Sequence, residues 1–176
     1  MDYLDIIDEL MQFEFVFEHN SYAYKKLVQI LAKRHSTTLI GLGAGRMGYS
    51  LRAFIMRLGH MGLRASMIGD TDVPKCDKKT TVIINSSSGE TPSMLLFAKQ
   101  AKNAGTFVIL ITSKEKSSIS KFANFVFCYN ERYSSQVMKT LYEQFTYLFF
   151  DKLASDLQKK LDIPDSFMEC NHSILE

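Results

Sequence analysis

Residues 81–105 read TVIINSSSGETPSMLLFAKQAKNAG. A short run that is apolar throughout passes straight into three serines, a glycine, an acid and a threonine. A helical pattern begins at Pro92 and is closed by Gly105, a residue suited to the left-handed position after a helix. A strand apolar at every position is buried on both faces, which marks a parallel sheet. Parallel neighbours need a crossover, and the helix after the serines supplies one.

The same unit repeats on either side. Upstream, TTLIGLG (37–43) reads as a first strand, and residues 46–59 as a helix with Met47, Leu51, Phe54, Ile55 and Leu58 inward. LRASMIG (63–69) is the second strand and residues 81–85 are the third. Downstream lie a fourth strand, TFVILIT (106–112), a short helix, SSISKFA (117–123), and a fifth strand, NFVFCY (124–129). Five strands with four crossovers predict an α/β fold: a doubly wound five-stranded parallel sheet of order 2-1-3-4-5, flanked by helices. That order reverses between strands 1 and 3, and ligands in such sheets sit outside the carboxyl ends of the strands at the reversal. GLGAGRMG (41–48) and NSSSGET (85–91) follow those two strands, so both loops are expected to face one crevice.

Outside the sheet, residues 2–18 carry Leu4, Ile7, Leu10, Met11, Phe15 and Phe17 at helical spacing, and residues 21–34 carry Tyr24, Leu27, Val28, Leu31 and Ala32. A long helix is predicted over 134–160. Its rings, Tyr142, Phe145, Tyr147, Phe149 and Phe150, leave little of the circumference polar, so a homo-oligomer built partly on this helix is expected. One domain is expected over 1–176: a helical pair at 1–35, the sheet core at 36–130, the long helix at 134–160 and a proline-interrupted tail at 162–176.

Composition narrows the function. A net charge of +2 gives no basic field for a nucleic acid. The cysteines Cys76, Cys128 and Cys170 form no C-x-x-C pair, which argues against zinc and redox motifs and suits a cytoplasmic protein. The acidic start MDYLDIIDELMQ is unlike a signal peptide, and no apolar run is long enough for a bilayer, so no membrane partner is expected.

The serine loop sits where a buried strand ends and a helix begins. Free backbone N–H groups, hydroxyls and the positive helix end can hold a phosphate without a lysine. Gly89 would let the backbone approach the anion. Thr91 followed by Pro92 reads as an N-cap and first-turn proline. Capping needs one hydroxyl and four are present, which favours anion binding over capping alone. GLGAGRMG fits a dinucleotide fingerprint loosely, with Asp70 placed about where a ribose-binding acid would stand. Against that reading, Arg46 suits a compact phosphorylated ligand, and the serine loop would be a superfluous second anion site.

GLGAGRMGYSLRAFIMRLGHMG, the NSSSGET loop with its helix, and SSQVMKTLYEQ resemble, in order, three blocks of the sugar isomerase (SIS) domain. The resemblance is strongest to its 6-phospho-3-hexuloisomerase branch and covers roughly residues 37–160. It implies a metal-independent isomerase without a cofactor, assembled as a tetramer, that takes a phosphorylated sugar and converts 3-hexulose 6-phosphate to fructose 6-phosphate. The implied catalytic residues are Glu143 as base, with His60 and His172. The implied substrate contacts are Gly45, Arg46, Thr71, Ser86, Ser87, Ser88, Gly89, Thr91 and Gln136. Without the resemblance, Glu143 would read as an ordinary solvated helix acid, His60 as a helix-end cap and Glu90 as structural.

The departures concentrate around the pocket. Met47 stands where the branch has a serine, Val137 and Lys139 replace a proline and a glycine, and Ile174 replaces an asparagine. The segment entering the long helix is therefore expected to take its own path. An isomerase of another ketose or aldose phosphate and a non-catalytic phosphosugar-binding module are the alternatives. A regulator would carry a basic helix-turn-helix upstream, and only 36 acidic, aromatic residues precede the first strand.

Overall fold

A computed structural model describes residues 2–19, 21–129 and 134–174 of the chain. Two helices, α1 (Tyr3–His19) and α2 (Ser21–Lys33), precede β1 (Thr38–Gly43), α3 (Gly45–His60), β2 (Ala65–Met67) and β3 (Thr80–Asn85). Then come α4 (Pro92–Asn103), β4 (Phe107–Thr112), a single 3-10 turn (Ser120–Phe122), β5 (Phe125–Cys128), α5 (Thr140–Lys160) and α6 (Asp165–Cys170). The inward positions expected at Phe15 and Phe17, and the tail residues Leu175 and Glu176, lie outside the described residues and side chains.

The five strands form one parallel sheet of order β2-β1-β3-β4-β5. All six residues of β3 are buried, the polar Thr80, Thr81 and Asn85 included, as befits a strand at the centre of a two-sided sheet. Alternation divides the side chains between two cores. Leu39, Ile83, Ile109, Ile111 and Phe127 face α2, α3 and α5. Ile40, Leu42, Val82, Ile84, Val108 and Leu110 face α4. Gly43 pairs with Asn85, so β1 and β3 end in register and their loops emerge side by side.

Three local expectations are corrected. The helix expected at 117–123 is only the 3-10 turn. There the Ser117 N–H donates to Ser120 Oγ at 2.9 Å and the Ser120 N–H to Ser117 Oγ at 3.2 Å, so the hydroxyls replace helical bonds. The second strand shrinks from 63–69 to three residues: after the Ile68 N–H donates to the Gly41 carbonyl at 2.9 Å, Gly69 turns to φ +95° and Asp70 folds back so that its Oδ2 accepts the Met67 N–H at 2.9 Å. The long helix starts at Thr140 rather than 134. Met138 sits at φ +54° and Lys139 is non-helical, so residues 134–139 form a separate approach to it.

Most of the rings expected to need an outside partner are satisfied within the chain. Tyr142, Phe145, Phe149 and Phe150 are all buried, and Phe150 stacks on Phe54 with centroids 5.1 Å apart. Of the large hydrophobic residues of that helix, only Tyr147 and its neighbour Leu148 are exposed. No helix among the described residues is long and apolar enough to cross a membrane.

Candidate active site

The turn between β1 and α3 is built by glycines. A Cβ on Gly48 would stand 2.5 Å from the Gly43 carbonyl oxygen, so only two glycines let the first turn of α3 press onto the strand end. That close approach fixes Met47 against the serine loop, with Gly45 and Arg46 just before it in the turn. The Met47 carbonyl accepts from Asn85 Nδ2 at 3.0 Å, and the Ser87 N–H points at Met47 Sδ, 3.4 Å away. The two loops meet, as their positions in the sequence predict.

The hydroxyls do not act alike. Ser87 is spent inside the fold: its carbonyl accepts from Thr112 Oγ1, the Ser113 N–H and Ser113 Oγ at 2.9–3.0 Å, and its own Oγ lies 3.0 Å from Ser113 Oγ. Ser88 Oγ accepts from the Glu90 N–H at 3.2 Å. Ser86 Oγ is buried and has no hydrogen-bond partner among the described residues. Thr91 has the extended backbone of an N-cap with Pro92 behind it, but its hydroxyl makes no capping bond. The amino end of α4 is thereby left without the side-chain satisfaction that such ends usually have. Gly89 serves the fold, since it sits at φ +64° and a Cβ there would lie 2.2 Å from Ser117 Oγ. Glu90 turns away and accepts the Ser118 N–H at 2.8 Å; the Ser118 hydroxyl first, and then this N–H, hold its carboxyl below the usual range.

Glu143 lies in the first turn of α5 and pairs with the Nε of Arg46. Its side chain is 15% exposed against 67% for Arg46. The two line a cavity of about 240 Å³ with Tyr49, Gln144 and Tyr147. Gln144 Oε1 is buried without a partner among the described residues. Beneath them runs a buried polar network. Asn85 Nδ2 reaches Ser50 Oγ at 3.1 Å, Ser50 Oγ lies 2.9 Å from Thr146 Oγ1, and the Tyr142 hydroxyl donates to Asn85 Oδ1. Asn85, Ser50 and Gln144 carry no periodic signal, and Tyr142 shows in the sequence only as one of the long helix's rings. Asn85, the first letter of NSSSGET, was the one available hint.

Other expected site residues stand apart. His60 is buried at the far end of α3. It lies fourteen positions beyond Arg46, about 21 Å along a helix. Its ring lies 4.9 Å from that of His172, and Asn171 Nδ2 donates to the His60 carbonyl at 3.1 Å. Within one chain these imidazoles do not converge with Glu143. Thr71 is exposed in the β2–β3 connection. Gln136 is buried, and its amide donates to Glu9 of α1. Asp70, the acid that a ribose would use, is paired with Arg52 Nη1 at 2.8 Å, and that bond leads in holding its carboxyl below the usual range. No group of three or more His, Cys, Asp or Glu among the described residues is disposed to hold a metal.

A doubly wound sheet with paired glycine and serine loops at its switch point, and a carboxylate beside them, defines a domain that grips small anionic metabolites. The family model of the SIS domain matches residues 30–150, and the chain belongs to this family. It is 33% identical over 173 residues to a 3-hexulose-6-phosphate isomerase of Bacillus subtilis, an alignment covering 90% of this chain and 92% of that one. A solved structure from Methanococcus jannaschii, from which a 3-hexulose-6-phosphate isomerase function was inferred, superposes with a TM-score of 0.88 at 28% identity over the whole of both chains. A Vibrio vulnificus protein complexed with ManNAc-6P shares the fold, with a TM-score of 0.75 at 16% identity, covering 94% of this chain and 64% of that one.

Proposed function

We propose that this chain is a sugar-phosphate isomerase that interconverts 3-hexulose 6-phosphate and fructose 6-phosphate through an enediolate. The observation that carries this reading is the Arg46–Glu143 pair, whose neighbours Met47 and Tyr142 contact Ser87 and Asn85 at a serine loop whose helix end has no side-chain cap. The similarity to the Bacillus subtilis enzyme over nine-tenths of the chain supports the choice of substrate.

The chemistry assigns roles. The phosphate binds at the amino end of α4, where Ser86 Oγ supplies an otherwise unpaired donor. Binding energy from that remote group orients the sugar. Glu143 removes the proton on C2, and the electrons move toward O3 to give a 2,3-enediolate. The guanidinium of Arg46 stands by to balance the developing oxyanion. Return of the carbon-bound proton to C3, with loss of the O2 proton and gain of one at O3, leaves the ketone at C2. Gln144 Oε1 is placed to accept from a sugar hydroxyl. The cycle is internally balanced and consumes no co-reactant.

His60 and His172 enter only if a second copy brings them to the cleft, because one chain separates them from Glu143 by the length of α3. Exposed Tyr49 and Met56 on α3, with Tyr147 and Leu148 on α5, offer the apolar face for such a homo-oligomer, a tetramer in our reading. The three free cysteines accord with a cytoplasmic setting.

Incubation of purified chain with 3-hexulose 6-phosphate, scored for fructose 6-phosphate, tests the proposal. Turnover is expected. Absence of turnover together with absence of thermal stabilisation by any sugar phosphate would overturn it.

A further inference from the structure

The α1 helix takes no part in the chemistry above, yet one of its carboxylates is tightly held. Glu9 accepts four hydrogen bonds from residues 134–136: Ser134 Oγ at 2.7 Å, the Ser135 N–H at 2.7 Å, Ser135 Oγ at 2.6 Å and Gln136 Nε2 at 2.9 Å. Two bonds fall on each carboxylate oxygen, and bonds to an ionised acceptor are the stronger kind. Their joint effect drops the Glu9 carboxyl to about 2, with Ser134 and Ser135 the leading causes.

The segment so held leads into the catalytic helix. After Gln136 the backbone passes through Met138 at φ +54° and Lys139 at φ −113°, and only then enters α5. No side chain caps that helix, so no local capping bond defines where it starts. The Thr140 hydroxyl donates to the Val137 carbonyl at 2.7 Å, and the Glu143 N–H to the Lys139 carbonyl at 3.0 Å. The base therefore hangs from a turn whose upstream anchor is a residue more than a hundred positions earlier in the chain.

We propose that Glu9 is a positioning residue: its carboxylate clamps residues 134–136 and so sets the first turn of α5, which places Glu143 against Arg46. The effect on turnover rests on the isomerase reading; the clamp itself does not. Substitution at Glu9 frees the approach segment, and the base then samples orientations off the reacting carbon.

Hydrogen exchange and steady-state kinetics on the full chain test the clamp with Glu9→Ala, Glu9→Gln and Gln136→Ala. In Glu9→Ala, amides of 134–143 should exchange at least about tenfold faster while those of β3 and β4 keep wild-type rates. The kcat for 3-hexulose 6-phosphate should fall by about ten- to a hundredfold with KM within about twofold, since misplacement of a base costs rate rather than affinity. Glu9→Gln, which keeps the length and one carbonyl acceptor, should recover part of the loss. Unchanged exchange at 134–143 would overturn the clamp. Faster exchange with unchanged kcat would overturn the positioning role. If Glu9→Ala loosens β3 and β4 as well, Gln136→Ala decides, because it removes one donor and leaves the carboxylate. A wild-type chain without turnover would sink the isomerase reading and leave the exchange result to judge the clamp.

Discussion

The phenol of Tyr142 donates to Asn85 Oδ1 across 2.7 Å, joining the first turn of α5 to the carboxyl end of β3. Both groups are fully buried, and the same hydroxyl lies 3.0 Å from the Ile111 carbonyl. The bond holds the helix that carries Glu143 against the strand that ends in the serine loop.

Removal of that hydroxyl leaves Asn85 Oδ1 buried and unpaired. Tyr142→Phe should cost about 1–3 kcal/mol, the range for an orphaned buried polar group. For a chain of this length that is a fall of roughly 2–12 °C in melting temperature. Calorimetry of Tyr142→Phe, Asn85→Ala and the double variant checks it. The double variant should fall short of the summed single effects by at least about 0.5 kcal/mol.

Glu143→Gln should preserve the fold and abolish isomerisation. Loss of a general base lowers rate by roughly a hundredfold to ten-thousandfold. Fructose 6-phosphate formation, followed beside the melting temperature, separates lost chemistry from lost structure. Residual turnover within threefold of wild type would assign the base elsewhere.

Met47 places a soft, weak acceptor against the Ser87 N–H, where a phosphate oxygen would make a charge-assisted bond. Met47→Ser should strengthen binding of fructose 6-phosphate by about tenfold, equivalent to one hydrogen bond to a charged group. Titration calorimetry reads it directly. Met47→Leu, which removes the sulfur but keeps the bulk, should show little gain.

Acid should release the Glu9 contact. Its carboxyl is held at about 2, below its ordinary 4.5, so the contribution to stability is fully present above pH 4.5 and is lost as pH falls toward 2. Glu9→Gln should flatten this part of the stability profile relative to wild type. Denaturant midpoints collected from pH 5 to pH 2 in both proteins give the comparison.

The central strands were legible because β4 is apolar at five of its six positions and β3 carries the run Val82-Ile83-Ile84, and burial on both faces demands such runs. The meeting of the two loops was legible too, since parallel strands with right-handed crossovers leave few orders to choose from. β2 reads too long in the sequence because its end is set by the backbone turn at Gly69, φ +95°, which an apolar pattern does not reveal. The start of α5 was misplaced for a similar reason. Helical spacing runs back to Ser134, but Met138 at φ +54° breaks the helical path and Glu9 holds residues 134–136 apart from the helix. Ser87 shows the limit of reading a motif by residue type. It belongs to a run of three serines, yet its hydroxyl and carbonyl turn inward to β4.

Hydrophobic period and glycine placement, acting over a few residues each, determined the sheet, its order and the crevice at its switch point from the amino-acid string alone. The pairings of Arg46 with Glu143, Tyr142 with Asn85 and Glu9 with Gln136 were decided only when the chain folded. Such contacts join residues 97, 57 and 127 positions apart, and a directional bond between distant groups leaves no local pattern in either partner's neighbourhood.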